Sequence, residues 1–468
     1  MQLNRRRGNG RKVKAGVAAL VCALFVIAFI VVRPVSERIS RLTGETSRDP
    51  DDRVDLEQPV RLKVVYPDEQ IFMEKYGKSF MLRYPNVSFE VLTAVPGDPG
   101  IPLAESGSIK KMLNQQRPDV LLLNQESLGY LAAKNQLAAL DSWIVRDRFD
   151  LQAFDSKVTD RLRQLGGGLL YGLAPEIERM GLFYNRDLFR SEGFAFPVSR
   201  MSWYDVLQTA ARFQAEGGDG ERIFGLSVYP RSTPGSLISL VAATLDLRMI
   251  DPVSRGLTLQ AAGWRDVWTT VIGGYKNGYL AWETLPARNL FLEGKVAMSV
   301  QPFTFLSKLR ESGGVSFDWD VVTEPVNPGS PDQSATFQIP MIYAVYAGSP
   351  SAKVAWELVK HINSPEIADQ QIRDNREVPL LSRKQQLLER LRSSGVKADI
   401  DCFYELKPGA SVSAPKDGVP AAFRSVFAGM MDGEAAQVLE GRKTVAEALQ
   451  AMERQGGEAL LHSRTEGR

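Results

Sequence analysis

Apolar residues recur along this chain with two periods, and the period changes from segment to segment. In Val60-Arg61-Leu62-Lys63-Val64-Val65-Tyr66 they alternate and then run on, which predicts a strand. Phe72, Tyr76 and Phe80 follow at four-residue intervals, one buried helix face that stops before Tyr84-Pro85. Val87, Phe89 and Val91 alternate again, Ile109, Met112 and Leu113 mark a short helix, and Val120 to Leu123 are continuously apolar, as in a strand covered on both faces. This alternation of strands and helices predicts a mainly parallel sheet wrapped by helices. Ligands sit beyond the carboxyl ends of such strands, where Tyr66 to Glu69 and Asn124 to Glu126 stand.

The stretch Leu169 to Phe189 organises the rest. After the breaker Gly166-Gly167-Gly168, two short apolar pieces flank a charged corner of Glu176, Glu178 and Arg179, the layout of a strand crossing between two lobes or of a plain hairpin. Ser202 and Asp205 form a capping box ahead of a helix carrying Trp203, Leu207 and Ala210; residues 223 to 229 read as a strand; Pro234 opens an apolar helix. Tyr275, Tyr279 and Trp282 crowd the segment in which Trp264 and Trp268, at helical spacing, read as core. Leu290 to Gly294 is expected to end a helix at glycine before a strand through Val300. Phe317 to Val322 and Gln338 to Tyr346 are expected strands. Ser349-Pro350 is expected to cap the helix of Val354, Leu358 and Ile362. Thr444 and Glu447 make a second capping box near the end.

Composition changes the picture mainly at the amino end. The 468 residues are too many for one core, and 57 Lys+Arg against 55 Asp+Glu leave no overall bias towards nucleic acid. Arg5, Arg6, Arg7, Arg11, Lys12 and Lys14 precede an uncharged run from Ala15 to Val32, which as a helix spans about 27 Å, enough for a bilayer core. Residues 1–14 are thus expected in the cytoplasm, 15–32 as a transmembrane anchor, and everything after Arg33 outside. A cleaved signal has the same layout, but no small-x-small site follows the run, and Val21 is a poor residue before a lipidated Cys22. Residues 33–58 read as a solvated linker. Cys22 and Cys402 are the only cysteines, so an internal disulfide is not expected.

Candidate chemistry is sparse. The two histidines, His361 and His462, have no serine, cysteine or carboxylate at a recommending spacing, and no C-x-x-C, H-E-x-x-H or Walker-type loop occurs. No catalytic residue, cofactor or metal is expected. Glu176 and Glu178 would share a face of a strand, suited to paired acid and base work or to anchoring a hydroxylated ligand.

The residues also resemble a family in order along the chain: Pro118-Asp119-Val120 with Leu131 to Leu137 and Leu140-Asp141; Tyr171 to Pro175 with Leu182 to Phe189; Trp203 to Asp205; Phe291, Gly294, Lys295, Ala297 and Met298; Ala355-Trp356-Glu357 with Ile362 to Glu366; and Gly441 to Leu449. From Val60 to Gly456 the chain resembles extracellular solute-binding proteins of family 1, the maltose-binding-like receptors of ABC importers. The resemblance implies an α/β, two-lobe, periplasmic-binding-protein-like (type II) fold with hinge crossings, residues 59–172 and 336–395 in lobe 1, 173–335 and 396–468 in lobe 2. It implies a monomer that binds a sugar, oligosaccharide or similar polar solute outside the cell for ABC permease subunits, without enzymatic activity.

By position, the resemblance puts Glu178 on sugar hydroxyls, Asp68, Glu69 and Glu126 at the first lobe's ligand loops, and Phe303 and Phe305 beside a stacking aromatic. That stacking position itself falls at Thr304, a late aromatic near Phe423 is displaced by Arg424, and the second crossing is entered by Thr336-Phe337-Gln338. Ligand-binding positions are therefore expected at Tyr66, Asp68, Glu69, Asn124, Glu126, Glu176, Glu178, Arg179, Trp282, Phe303, Phe305, Phe337 and Arg424. A sensory subunit for a membrane kinase, or a carbohydrate hydrolase using Glu176 and Glu178, remain the alternatives.

Overall fold

A computed structural model describes residues 58–93, 112–213, 222–229, 233–251, 253–282, 289–311, 314–374, 377–409 and 421–466. The basic segment, the apolar run Ala15 to Val32 and nearly all of the linker lie outside them. Among the described residues no helix is long and apolar enough to cross a membrane.

The described residues form thirteen strands: β1 (Val60–Val65), β2 (Val87–Leu92), β3 (Val120–Leu123), β4 (Gly172–Leu173), β5 (Glu176–Ile177), β6 (Met180–Asn185), β7 (Phe224–Val228), β8 (Val296–Pro302), β9 (Trp319–Thr323), β10 (Gln333–Ser334), β11 (Ile342–Val345), β12 (Leu380–Leu381) and β13 (Lys407–Pro408). The first sheet has the order β2-β1-β3-β11-β4, parallel through β2, β1 and β3 and antiparallel where β11 meets β3 and β4. All four β3 residues are buried, as a continuous apolar run demands of a strand covered on both sides.

Phe72, Tyr76 and Phe80 are fully buried against this sheet, with Phe72 5.0 Å from Phe89 and Tyr76 5.9 Å from Tyr343. Their helix is not uniform: Glu69–Phe72 and Lys78–Arg83 are α-helical and Met73–Gly77 between them is a π segment. Residues four apart drift forward around an α-helix of 3.6 residues per turn, and one wider turn returns Phe80 to the line of Phe72.

The second sheet has the order β7-β8-β6-β9, with β7 parallel to β8 and β6 antiparallel to both neighbours. One large core covers it, containing Trp203, Trp264, Trp268, Phe427, Met431 and Leu449. The helices Ala421–Leu439 and Val445–Glu466 pack there, against Pro234–Thr244 and Ala262–Lys276. Buried Trp203 donates its indole N–H to Thr244 Oγ1 at 3.0 Å, which removes the cost of hiding that polar group.

Two segments run directly from one sheet to the other, and after β11 the chain passes by way of β12 and β13 to the helices Ala421–Leu439 and Val445–Glu466 on the second sheet. The first leaves β4, passes through β5 and enters the second sheet at β6; the other leaves β9 and returns through residues 324–341 to β11. Their backbones pair where Glu178 and Gln338 exchange both backbone hydrogen bonds at 2.9 Å, next to the bond from Met180 N to Thr336 Oγ1 at 3.0 Å. β12 pairs antiparallel with β5, β10 pairs parallel with β13, and Tyr404 donates its hydroxyl to Leu381 O at 2.6 Å.

Three expected elements differ. Leu290 to Gly294 forms turns rather than a helix end: Asn289 Oδ1 accepts from the N–H groups of Phe291 and Leu292 (3.1 and 3.2 Å) as an N-cap does, and Gly294 at φ +72° stops the chain after that single turn. The strand expected from Gln338 begins at Ile342, after Pro340, which has no N–H to give a ladder. The helix expected at Ser349-Pro350 runs Ala352–Ile362 from Ser351, while Ser349 Oγ bonds Asp119 and accepts from Ser351 N.

Candidate ligand-binding site

A cavity of about 1090 Å³ opens at the crossings. One wall is Glu176 to Met180, with Thr336, Gln338 and Met341 of the second crossing. The second sheet contributes Tyr229, just past the carboxyl end of β7, and Phe303 and Thr304 beyond β8; helices add Ser236, Ser239 and Asp432, and the first lobe adds Lys75.

Glu176, in β5, and Glu178, in the bridge to Gln338, both line the cavity. Glu176 is only 8% exposed and its backbone is held by Leu381 of β12. Burial pushes its carboxyl above the ordinary 4.5; the Lys75 charge opposes this and the Glu178 charge adds to it. Burial likewise raises Glu178, although its side chain opens onto the cavity. Neither carboxylate takes a hydrogen bond among the described residues, so both keep their acceptor capacity for a bound solute.

Arg179 is 4% exposed, with its guanidinium 4.6 Å above the Phe337 ring and its Nε without a partner. Burial lowers its pKa, and the charges of Glu324 and Asp155 act against that. Buried Glu324 is pushed up by burial and held down by hydrogen bonds from Thr336, whose Oγ1 also accepts from Met180 N at 3.0 Å. This bonding fixes the spacing of the two crossings beneath the cavity. Phe303 N donates to Arg179 O at 3.0 Å and ties the end of β8 to the same corner.

On the second lobe's side, Asp432 Oδ1 accepts from Gly235 N (2.9 Å) at the start of the helix Pro234–Thr244, where partial positive charge favours a carboxylate. Tyr229 is 44% exposed, an aromatic face on the cavity wall.

Of the expected positions, Glu176, Glu178, Arg179 and Phe303 meet at this cavity. Phe337 lies beneath Arg179 and is fully buried. Tyr66 is buried among Phe72 and Tyr76, its hydroxyl pushed up to about 12 by burial and by the Glu176 charge. Asp68 and Asn124 are consumed as helix caps, accepting from Ile71 N and Ser127 N at 2.8 Å, and Glu69 and Glu126 are exposed in the first turns beyond them. Phe305 packs in the core against Phe183 at 5.3 Å. Trp282 is half-exposed with its ring 5.9 Å from Tyr275, and Arg424 is exposed on the helix Ala421–Leu439; neither lines the cavity.

Tyr229 and Gln338 were not among the expected positions. The carboxyl-end rule that nominates Tyr66 points equally to Tyr229 after β7. Asp432 carries no local signal, since only packing brings its helix to Gly235. Among the described residues no cluster of His, Cys, Asp and Glu is arranged to hold a metal.

Solved structures with this architecture include the extracellular solute-binding protein family 1 from Alicyclobacillus acidocaldarius, 14% identical with TM-score 0.63 over 86% of this chain and 99% of that one. The sugar-binding protein MalE from Xanthomonas citri is 17% identical with TM-score 0.57, covering 86% and 98%. An ABC substrate-binding protein from Listeria monocytogenes in complex with cycloalternan is 19% identical with TM-score 0.55, covering 86% and 99%. At such identities the likeness establishes a shared two-lobe fold. The sequence model of the bacterial extracellular solute-binding proteins matches residues 105–385, well over half of the chain. Fold, crossings and sequence thus agree, and the chain belongs to the bacterial extracellular solute-binding protein family.

Proposed function

We propose that this protein binds a carbohydrate, or a similarly hydroxylated solute, in the cavity at its crossings and delivers it outside the cell to an ABC permease. The observation that carries this reading is the pair of unpartnered carboxylates, Glu176 and Glu178, on the wall of a cavity of about 1090 Å³. A carboxylate accepts from hydroxyl donors, and the resulting charge-assisted bonds are roughly twice as strong as neutral ones. Tyr229 offers a face for the apolar side of a sugar ring. The volume lies at the top of the usual small-ligand range of about 300–1,000 Å³, which favours an oligosaccharide over a single ring. The cycloalternan-bound protein and the sugar-binding protein among the structural neighbours support the same class.

The first crossing divides lobe 1 (59–172 and 336–395) from lobe 2 (173–335 and 396–468), and the helices Ala421–Leu439 and Val445–Glu466 packed on the second sheet support placing the chain's end in lobe 2. Residues 15–32 serve as an uncleaved membrane anchor with residues 1–14 in the cytoplasm and 33–58 as a tether, supported by the basic cluster and the apolar run. The chain acts as a monomer and changes no covalent bond in its ligand.

A thermal-shift screen over sugars, amino acids and peptides tests the reading. A ligand that binds only the folded state raises the melting temperature, by about 2.7 kcal/mol of stabilisation at a hundredfold excess over Kd. Stabilisation by mono- or oligosaccharides is expected; stabilisation by amino acids or peptides alone would contradict it.

A further inference from the structure

Behind Gln338 a chain of polar side chains runs into the first lobe. Gln125 Nε2 donates to Gln338 Oε1 at 3.3 Å, Arg161 Nε donates to Gln125 Oε1 at 3.1 Å, and Arg161 Nη1 donates to Gln164 Oε1 at 2.7 Å. Gln125 and Arg161 are buried, 7% and 4% exposed, while Gln338 opens onto the cavity. Arg161 makes no ion pair among the described residues, and its Nη2 is buried without a partner. Neutral glutamines thus surround a buried guanidinium, an arrangement costly enough to ask what it does.

We infer that Arg161 is a positioning residue that sets the polarity of Gln338, so that the cavity wall presents an N–H donor there and not an acceptor. The ends of an amide are nearly alike in shape, and only their partners decide which way it points. A guanidinium has donors alone. It therefore claims the oxygen of Gln125, Gln125 turns its NH₂ to Gln338, and Gln338 must offer its oxygen inward. Its Nε2 is left facing the cavity.

Glu178 and Gln338 are directly opposed in the antiparallel bridge, so their side chains project from the same face of the ribbon. The wall therefore sets an acceptor and a donor side by side. On the proposed reading of the site, the matching solute carries a hydroxyl donor for Glu178 next to an acceptor oxygen, a ring or glycosidic ether, for Gln338.

The test needs no ligand, so it succeeds or fails apart from that reading. In the 468-residue chain with ¹⁵N-labelled glutamine side chains, Gln338 being assigned from its loss in Gln338→Leu, hydrogen exchange of the side-chain amides is followed by NMR. Gln338 Nε2 protons are expected within about tenfold of free glutamine and those of Gln125 slowed by about a hundredfold or more. Gln125→Glu keeps a partner for Arg161 but gives Gln338 only an acceptor, so its amide should invert and its Nε2 protons slow by about tenfold or more. Protected Gln338 protons in the unsubstituted chain, or exchange unchanged by Gln125→Glu, would overturn the inference.

Discussion

Glu176 carries opposite consequences for stability and for binding. Burial, outweighing the nearby Lys75 charge, lifts its carboxyl above the ordinary 4.5, so the folded chain holds this proton more tightly than the unfolded chain does. For a raised pKa the sign is fixed: the favourable contribution is complete below 4.5, the value in the unfolded chain, and is lost as pH rises through the higher folded value. Glu176→Gln should therefore melt higher than the unsubstituted chain at neutral pH, with a flatter pH dependence above 4.5, and bind sugar more weakly. Melting curves from pH 4 to 8 check this; a lower melting temperature for the variant at neutral pH would contradict the sign. A residue that weakens the empty protein and serves the filled one fits a site shaped by function.

At the scale of elements, the second sheet depends on close contact between β7 and the helix Trp203–Ala211. A Cβ added at Gly225 would lie 2.1 Å from the backbone oxygen of Ala210, an atom that cannot swing aside. Gly225→Ala should push strand and helix apart, at about 1–3 kcal/mol or more, read as a lower urea midpoint. An unchanged midpoint would mean that the strand moves freely over the helix.

Elements of this kind were the legible part of the sequence. The capping boxes at Ser202/Asp205 and Thr444/Glu447 form as their spacing implies, because both partners lie within one turn. Trp264 and Trp268 are buried as their helical spacing requires. Leu290 to Gly294 misleads because the turn that Asn289 opens is stopped at once by Gly294 in the left-handed region. Glu176, Glu178 and Arg179 were legible because one stretch supplies all three. Tyr229, Gln338 and Asp432 reach the same cavity from segments remote in sequence, and only the fold brings them there. Asn124 and Asp68 stand where the carboxyl-end rule looks for ligand contacts, but the helices that follow take them as caps.

For the whole molecule, the two crossings are joined by the backbone bridge of Glu178 with Gln338, by the bond from Met180 N to Thr336 Oγ1 and by Arg179 over Phe337, and β5 is braced by β12. These contacts gather in a few residues of two segments that each run from one sheet to the other, and hinges are a few such residues that absorb the backbone change. The cavity lies at that waist, so a guest bound there touches both halves and favours the closed form in proportion to its extra contacts with it.

Calorimetric titration of the unsubstituted chain and Glu178→Gln with the most stabilising sugar of the thermal-shift screen, the sugar then being recovered and weighed by mass spectrometry, puts the central claim to its most direct test. The account predicts saturable one-site binding, weakened at least about tenfold by a substitution that removes a charged hydrogen-bond acceptor, and sugar recovered unaltered. Equal affinity in the two proteins, or a sugar cleaved by the unsubstituted chain and spared by Glu178→Gln, would contradict it.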